Sequence, residues 1–405
     1  MSGYSHPYWL EVPALKGSLE KPLDAEIVII GSGLSGVSTA YWLQEKGYSN
    51  LLLVDYEPDT AASFRNCGHI LYGTVESMQA LVALHGEDIA RQLWALSIDI
   101  CHEVRETILR HQIQAHYRQD GYLVIAIDES EDREIHQSIE LLRKNGFASE
   151  YVDQAKLQKL GFRNIFGGRF EPGSAQAHPT LFRNGLLEVC LKRGLRYHSG
   201  VKVESVEETG DRVRLRTQPW GHLHADAAVI AANAYSPLLS GFFERHRLVE
   251  PFRGQIITRR PFKNHQFPVR YPHSFDHGYE YAIITEDNRL MIGGWRNRTE
   301  GGELGTYEIN VNPLVEQGLQ EFVNTHYDLT EKVEWEFSWS GIMAASKTGF
   351  PFIGPTDSQR IFTCSGYTGH GFSWAHGSAK ILADIINGDP VPEIVREKCN
   401  PRFFM

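Results

Sequence analysis

The chain has 405 residues, 42% of them hydrophobic, and this length predicts two domains with a large buried core. The formal net charge is -10, from 40 Lys and Arg against 50 Asp and Glu, and no basic stretch stands out. This balance argues against a nucleic acid or an anionic membrane surface as partner. The five cysteines show neither metal-ligand spacing nor a disulfide framework, which predicts a cytoplasmic location and no metal site.

Residues 1–23 are expected to form an N-terminal arm that packs on the folded body. Residues 1–19 lack a positively charged start followed by an apolar block, so they do not have the pattern of a secretory signal. No apolar run approaches the roughly 18 residues that span a bilayer. We therefore expect no transmembrane segment.

A dinucleotide-binding fingerprint follows the arm. The apolar run 25–30 predicts a strand, residues 37–45 a helix, and residues 51–55 a second strand that ends in Asp55. The turn between the first strand and the helix is rich in glycine and comprises Gly31, Ser32, Gly33, Leu34, Ser35 and Gly36. In this motif Gly31 allows the tight turn, Gly33 lets a pyrophosphate approach, and Gly36 brings helix and strand together. The helix N-terminus faces the phosphates, and Asp55 is placed to bind a ribose hydroxyl.

The rest of the chain alternates helical and strand patterns without internal repeats or a flexible linker. Helices are predicted over residues 75–111, 129–145, 153–160, 180–193, 313–325 and 375–386. Strands are predicted over residues 121–126, 197–206, 213–217 and 225–234, with a strand-like segment at 254–295. The strand over residues 225–234 is expected to be buried, whereas the two before it alternate like exposed strands.

Eight further segments, together with the fingerprint, resemble the D-amino-acid oxidase superfamily of FAD-dependent oxidoreductases. They are residues 64–69, 177–179, 201–203, 231–237, 251–255, 289–294, 339–341 with 349–355, and 366–372. The resemblance runs from about Tyr8 to Pro390 and is strongest to the gamma-glutamylputrescine oxidoreductase-like branch, beside glycine and sarcosine oxidases. It implies an α/β fold, in which a Rossmann-like, glutathione-reductase-like FAD-binding domain carries a substrate domain built on a mostly antiparallel sheet.

The resemblance also implies domain ranges and cofactor contacts. The FAD-binding domain would be discontinuous, over 24–75, 150–245 and 340–395, with the substrate domain over 76–149 and 246–339. Besides the fingerprint and Asp55, the residues implied to contact FAD are Tyr56, Arg65, Asn66, Gly68, His69, Val203, Ala232, Trp339, Gly341, Gly366, Gly369, His370, Gly371 and Phe372. The backbone amides of the last loop would stabilise negative charge on the reduced flavin.

Three departures from the family pattern concern the flavin. Phe64 and Cys67 stand where relatives have small residues, which predicts a bulkier flavin face. Some relatives attach FAD covalently through a histidine, and His69 is an alternative attachment point of this kind. Sarcosine oxidase-like enzymes use a cysteine instead, which residues 342–346 lack, so non-covalent FAD is expected. Met291 stands where those oxidases carry an oxygen-activating lysine, which argues against efficient use of oxygen.

The implied reaction is oxidation of a C–N bond in an amine or amino acid, by hydride transfer to flavin N5 and hydrolysis of the imine. The electron acceptor, oxygen or a carrier, stays open. Alternation on one strand would put His277, Tyr279 and Tyr281 on the substrate side, and Arg296 could clamp a substrate carboxylate. Arg65 and His370 complete the candidate catalytic set. Each of these residues also has a purely structural interpretation.

Two other functions fit the same sequence. A hydroxy-acid or polyol dehydrogenase would use the same scaffold to oxidise a C–O bond. A flavin-binding protein with an idle redox site would hold FAD that no small molecule reduces. An NAD-linked enzyme is disfavoured because no second fingerprint is present.

Overall fold

The computed structural model describes residues 6–263, 267 and 269–405. Across these ranges the chain forms ten α-helices and 18 strands. The helices are α1 Leu34–Glu45, α2 Met78–His85, α3 Glu87–His111, α4 Glu129–Lys144, α5 Gln154–Lys159, α6 Pro179–Lys192, α7 Gly241–His246, α8 Pro313–His326, α9 Gly371–Asn387 and α10 Glu393–Lys398. The strands are β1 Ala25–Ile30, β2 Leu51–Asp55, β3 His69–Ile70, β4 Tyr122–Ile125, β5 Glu150–Val152, β6 Gly168–Glu171, β7 Ala175–Gln176, β8 Arg196–Ser199, β9 Lys202–Thr209, β10 Arg212–Gln218, β11 Gly221–Ile230, β12 Val249–Arg259, β13 His273–Phe275, β14 Glu280–Ile284, β15 Leu290–Gly293, β16 Trp335–Ser346, β17 Phe352–Pro355 and β18 Ile361–Ser365.

The first sheet has a parallel centre, as the predicted Rossmann-like domain requires. Its strand order is β17-β18-β11-β1-β2-β8, with β9 and β10 joined to β11 as an antiparallel extension. The strands from β18 to β8 pair in parallel. Alternate residues of β1 enter two cores: Ile27 and Ile29 pack with α1, α6 and α9, while Val28 and Ile30 face the β9–β10 side. Because both faces of the sheet are covered, the central strands β1 and β2 are largely apolar.

The second sheet is the predicted, mostly antiparallel one. Its order is β16-β12-β15-β14-β13-β4-β6-β5, and only the β13–β4 pair is parallel. Residues alternate between its two faces along β15: Leu290 and Ile292 join the core beneath α8, whereas Met291 faces Trp9 and Trp339. This second face is the one turned toward the first sheet.

Close backbone packing at Gly36 explains why α1 can lie against β1. A Cβ at this position would collide with the carbonyl oxygen of Gly31, which itself has a φ of +101°. Only glycine allows both the left-handed turn and the near contact. The fingerprint therefore forms the strand, turn and helix that the sequence predicts.

Two predicted elements are each divided by a glycine. Residues 75–111 form two helices, because Gly86 adopts a φ of 84° between α2 and α3. The predicted strand 197–206 is also two strands, with Gly200 at a φ of 78° between β8 and β9. β8 is a buried member of the parallel sheet rather than an exposed strand. Glycine has no Cβ penalty at positive φ, so a change of direction at these points is inexpensive.

Sheet membership corrects the predicted domain ranges. β5 and β6 belong to the second sheet, although residues 150–245 were assigned to the FAD-binding domain. The whole of β16 also pairs with β12 of the second sheet, up to Ser346, so the last FAD-domain segment begins later than residue 340. α3 packs on α9, with Gly377 against Ile100, and therefore belongs to the core of the first sheet.

The N-terminal arm packs on the body, as predicted, over the part of it that the structure describes. Trp9 is buried and its indole donates to the carbonyl oxygen of Asn66 at 2.7 Å. Farther along, Asn184 donates to Pro13 and Gly17 donates to Ser199. Among the described residues, no helix is both long and apolar enough to cross a membrane.

Candidate functional site

The fingerprint lies where the parallel strands β1, β2 and β11 end. Gly31 follows β1, Asp55 ends β2, and Ala231 follows β11. The Gly31 amide donates to Val54, and a Cβ on Gly31 would lie 2.7 Å from the carbonyl oxygen of Ala231. Ligands of open parallel sheets bind outside these strand ends, so this edge is the dinucleotide end of the site.

Asp55 and Arg183 hold the turn from two sides. The Asp55 carboxylate accepts the Ser32 amide at 2.5 Å. From α6, the Arg183 guanidinium donates to the Ser32 carbonyl at 2.8 Å and to its hydroxyl at 2.9 Å. Burial raises the pKa of Asp55, and the hydrogen bond from Ser32 opposes that rise. Arg183 is 0% exposed and was not among the predicted site residues.

The N-terminus of α1 is the candidate anion-binding element of this end. Its N-cap, Gly33, provides no capping side chain, and the Leu34 amide donates to Ser63 at 2.8 Å. A Cβ on Gly33 would lie 2.8 Å from the same hydroxyl. The amides of the first turn beyond Leu34, together with the helix dipole, favour a phosphate at this point. Tyr56 lies beside it, and its carbonyl oxygen accepts the amide of Gly200.

The segment after β2 crosses to the second sheet through Arg65. Its guanidinium donates to the carbonyl oxygens of Asp59 and Ser340, and its own carbonyl accepts the Trp339 indole at 3.1 Å. A Cβ on Gly341 would lie 2.9 Å from the Arg65 side chain. These bonds satisfy Arg65 with backbone acceptors, which supports its positional role. Asn66 closes the turn by accepting the amide of Gly68 at 2.8 Å.

Phe64 does not make the flavin face bulkier in the way that the sequence suggested. Its ring is 0% exposed and lies beneath the guanidinium of Arg183, 5.3 Å from the ring centroid. The Phe64 side chain is therefore buried between the segment 64–69 and α6. Cys67 is buried in an apolar cluster with Trp9, Met291 and Trp339.

The loop before α9 converges on the same region. The Gly366 amide donates to Asn233, next to Ala232, and the Tyr367 hydroxyl lies 2.7 Å from that of Ser35 in the fingerprint. His370 is the N-cap of α9 and makes no side-chain cap bond. A Cβ on Gly369 would meet nothing within 4 Å, so open space adjoins a second uncapped helix N-terminus. Gly371 and Phe372 begin that helix.

Val203 is predicted to contact the adenine through the backbone of its strand, and its side chain points into a core instead. It pairs with Thr217 in the β9–β10 hairpin and is buried in that core. The amide of Val201 donates to the carbonyl of Asp55 at 2.9 Å. The backbone entering β9 is therefore the part of this segment that borders the dinucleotide end.

Tyr281 occupies the centre of the inner face of the second sheet. Its ring covers two positions without side chains: a Cβ on Gly293 would lie 2.6 Å from the ring, and a Cβ on Gly254 would lie 3.6 Å from the hydroxyl. A Cβ on Gly254 would also collide with the side chain of Met343. The imidazole of His69 lies 6.1 Å from the Tyr281 ring, between centroids. These residues form the sheet side of the candidate substrate cleft.

Arg296 stands at the end of β15 beside this cleft. Its guanidinium lies over the rings of Phe252 and Tyr279, 4.5 and 5.3 Å from their centroids. Burial raises the pKa of the Tyr281 hydroxyl, and the positive charge of Arg296 opposes that rise. Neighbouring arginines are paired, Arg253 with Glu303 and Arg298 with Glu280. Within the described residues, no carboxylate forms an ion pair with Arg296.

The prediction that His277, Tyr279 and Tyr281 share one strand face is wrong. β14 begins only at Glu280, and His277 lies in a turn with a φ of 55° before it. His277 is exposed, and its imidazole forms an ion pair with Glu134 at 3.3 Å. The His277 side chain therefore points away from the cleft. Tyr279 borders the cleft only through its ring contact with Arg296.

Burial favours the neutral form of two histidines in the candidate site. Burial lowers the pKa of His69 to about 3, and its Nε2 lies 3.1 Å from the carbonyl oxygen of Ala282. Burial also lowers the pKa of His370. The burial that lowers the pKa of these imidazoles would also disfavour a charged substrate amine, because desolvation penalises the charged form of a group.

The residues that the structure brings together fit FAD. One uncapped helix N-terminus and Asp55 form the dinucleotide end, and a second uncapped helix N-terminus with open space at Gly369 lies at the other end. Ser63, Arg183 and Tyr367 complete the connection between them. The sequence signal that could have found Arg183 is an arginine in a predicted helix, and Tyr367 lies inside the glycine-rich segment 366–372.

Comparison with known proteins agrees with this architecture. A family model described as FAD dependent oxidoreductase matches residues 26–385. The chain therefore belongs to the DAO family of FAD-dependent oxidoreductases, which confirms the predicted family, the cofactor FAD and the enzyme class.

Relatives cover most of the chain at low identity. The probable oxidoreductase OrdL of Haemophilus influenzae is 25% identical over 374 residues, covering 90% of this chain and 83% of that protein. A D-amino acid dehydrogenase of Neisseria meningitidis is 24% identical over 409 residues, covering 90% and 96%. Glycine oxidase from Bacillus cereus has the same fold, with a TM-score of 0.76, 20% identity and coverage of 92% and 99%. These similarities confirm the predicted two-sheet fold.

Proposed function

We propose that this FAD-dependent oxidoreductase oxidises the C–N bond of an amino acid and that Arg296 binds the carboxylate of the substrate. The observation that carries this proposal is a half-buried arginine, held between Phe252 and Tyr279, with no carboxylate partner in the described chain. A guanidinium in such a place favours a bidentate carboxylate ligand. The D-amino acid dehydrogenase among the relatives supports the same substrate class.

Bound FAD would supply the redox chemistry by accepting a hydride from the substrate carbon that carries nitrogen. The protein's part is to orient and desolvate the substrate. Arg296 would fix one end, and the Tyr281 hydroxyl, whose pKa rise on burial is opposed by the charge of Arg296, would donate a hydrogen bond to the same carboxylate. Burial, which lowers the pKa of His69, would also penalise the charged form of a substrate amine and so favour the neutral amine, the form able to release hydride.

The electron acceptor is proposed to be a carrier rather than oxygen. Met291 is 0% exposed and packs with Cys67 and Trp339. This apolar cluster offers no positive charge to stabilise the negative charge that builds on oxygen as it is reduced. The proposal rests on this cluster and on the resemblance that places Met291 at the position of an oxygen-activating lysine.

An anaerobic titration of the FAD-loaded protein tests the substrate class. Amino acids should bleach the flavin band of the wild type, whereas the Arg296→Leu variant should require at least about a hundredfold more substrate, because an interaction with a carboxylate worth about 3 kcal/mol is lost. Arg133→Leu, at an exposed arginine of α4, is the matched control. Bleaching by 2-hydroxy acids but not amino acids would replace the proposal with C–O oxidation.

A further inference from the structure

The turn that carries Arg296 begins with a close backbone contact. It covers residues 294–299, directly after β15. Gly294 has a φ of +130°, and a Cβ there would collide with the carbonyl oxygen of Tyr279. The Gly294 amide donates to the carbonyl oxygen of Gln255 at 3.1 Å. The chain therefore leaves the sheet in one fixed direction, and the side chains farther along the turn set the position of Arg296.

The indole of Trp295 anchors this turn beneath α8. Trp295 adopts a φ of 65°, and its ring occupies the space that a side chain at Gly318 of α8 would need. The ring centroid lies 6.3 Å from that of Phe322. The next side chain along the turn, Arg296, instead lies over the ring of Phe252. Because the two neighbours contact different parts of the second sheet, a rotation of the turn would displace the Arg296 guanidinium.

A second anchor of the turn is the guanidinium of Arg298, which bridges two acids. Its Nη1 donates to Oε1 of Glu280 and its Nη2 donates to Oδ2 of Asp276, each at 2.8 Å. The same guanidinium lies over the Trp295 ring, 4.2 Å from the centroid. Asn297 donates to the same Asp276 oxygen at 3.1 Å. Arg298 therefore ties the turn to the start of β14 and to the residues before that strand.

Glu280 is the buried member of this network. It is 0% exposed and is the first residue of β14, directly before Tyr281 of the cleft. Its Oε1 accepts from Arg298, whereas its Oε2 has no hydrogen-bond partner within the described residues. A buried carboxylate that loses its only arginine becomes an uncompensated charge, which is costly. The ion pair therefore favours the one arrangement of the turn in which Arg298 reaches Glu280.

We propose that Glu280 is a positioning residue for the substrate: through its ion pair with Arg298, it holds the turn 294–299 so that the Arg296 guanidinium faces the substrate carboxylate. The inference rests on the proposed function, because it needs Arg296 to bind that carboxylate. Glu280 is wholly buried and acts on the substrate only through the turn. Removal of its charge should therefore weaken the binding of substrate without changing the chemistry at the flavin.

A double-mutant cycle on the FAD-loaded protein tests this role, with the amino acid that bleaches the wild-type flavin at the lowest concentration. Titrations are run anaerobically at pH 8, because burial raises the pKa of Glu280 to about 7 and its carboxyl is then ionised. Glu280→Gln should raise the half-bleaching concentration by about tenfold and leave the flavin content and the bleaching rate at saturation unchanged. In the Arg296→Leu background, the same substitution should have no further effect. Glu103→Gln, which breaks an ion pair between α3 and α9, is the matched control and should leave the concentration unchanged.

A second variant tests the same ion pair where Glu280→Gln fails to fold. Arg298→Lys keeps a positive charge at a partly exposed position but cannot meet Glu280 and Asp276 with one fork of donors, so the half-bleaching concentration should rise by about threefold. An unchanged concentration in folded Glu280→Gln or, where that variant does not fold, in Arg298→Lys would overturn the inference and leave the proposed function intact. An equal rise in the wild-type and Arg296→Leu backgrounds would do the same. If Arg296→Leu itself left the concentration unchanged, the proposed function would fail, and this inference with it.

Discussion

The guanidinium of Arg183 donates to both the carbonyl oxygen and the hydroxyl of Ser32, at 2.8 and 2.9 Å. A wholly buried side chain of α6 thus holds the turn that faces the dinucleotide. Its remaining donors reach Asn184 at 3.0 Å and Tyr197 at 3.3 Å. The shape of the fingerprint therefore depends on a residue 151 positions away from it.

Arg183→Lys is predicted to destabilise the protein and to weaken FAD binding together. Lysine carries one point charge and cannot reproduce the fork of donors that meets Ser32 and Tyr197. Buried acceptors left without donors cost about 1–3 kcal/mol each, so we expect the free energy of unfolding to fall by about 3 kcal/mol. Urea unfolding with and without FAD measures both effects. Arg193→Lys, at the C-cap of the same helix and partly exposed, should change neither quantity appreciably.

Gly36→Ala is predicted to abolish stable FAD binding. The added methyl would collide with the carbonyl oxygen of Gly31, which forces α1 away from β1 at a cost of about 1–3 kcal/mol. The flavin absorbance retained after purification is the measurement. Gly241→Ala is the control, because its Cβ would meet only the flexible end of Arg245 at 3.2 Å. Full flavin content in Gly36→Ala would show that the helix can shift without loss of the site.

Stability is predicted to fall as the pH drops below about 6.5, the ordinary histidine value. Burial lowers the pKa of four histidines to about 3 or 4; they are His69, His178, His273 and His376. Between pH 6.5 and 4 the unfolded chain binds protons at these sites and the native chain does not, so unfolding becomes easier as the pH falls. Each histidine contributes at most about 1.4 kcal/mol per pH unit.

Denaturant titrations at pH 7.5 and 5.5 measure this slope. His376→Gln should flatten it, since His376 is 1% exposed and bonded to Thr107 and Ser38. His136→Gln, at an exposed position of α4, should leave it as in the wild type. Glu280 has the opposite sign, because burial raises its pKa to about 7 and its contribution is lost as the pH rises through that value. A stability that stays constant from pH 7.5 to 5.5 would contradict the burial of these imidazoles.

How far the sequence predicts the site depends on how local each contact is. Gly31, Gly33, Gly36 and Asp55 belong to one strand-turn-helix-strand unit, so spacing alone locates them. The bond from Tyr367 to Ser35 joins residues 332 positions apart, and no pattern within either segment contains it. Similarly, the arm reaches the site through Trp9 and Asn66, a contact that exists only after both sheets have formed.

The error at His277 has a local cause. Alternation predicted a strand through residues 277, 279 and 281, but His277 and Gly278 both adopt positive φ, 55° and 87°. Two left-handed residues in succession reverse the chain, and a short ion pair with Glu134 then keeps the imidazole outside. A glycine inside an apparent strand was the signal that the alternation could not continue.

Oxygen is predicted to reoxidise the reduced protein slowly. Met291 and Cys67 surround that part of the site with apolar groups, so the negative charge formed on oxygen finds no cation. After anaerobic reduction by substrate, reoxidation by air should be at least about a hundredfold slower than reoxidation by an artificial dye acceptor, a barrier difference of about 3 kcal/mol. Rapid reoxidation in air would show that the protein is an oxidase and that the apolar surroundings of Met291 do not slow the reaction with oxygen.

The flavin spectrum during anaerobic titration with matched substrates tests the central claim most directly. An amino acid and the corresponding amine without a carboxylate should be compared in the wild type and in Arg296→Leu. We predict that the amino acid bleaches the flavin of the wild type. At the same concentration, neither the amine with the wild type nor the amino acid with Arg296→Leu should bleach the flavin. Equal bleaching by the amine, or an Arg296→Leu variant that responds like the wild type, would contradict a carboxylate-binding site at Arg296.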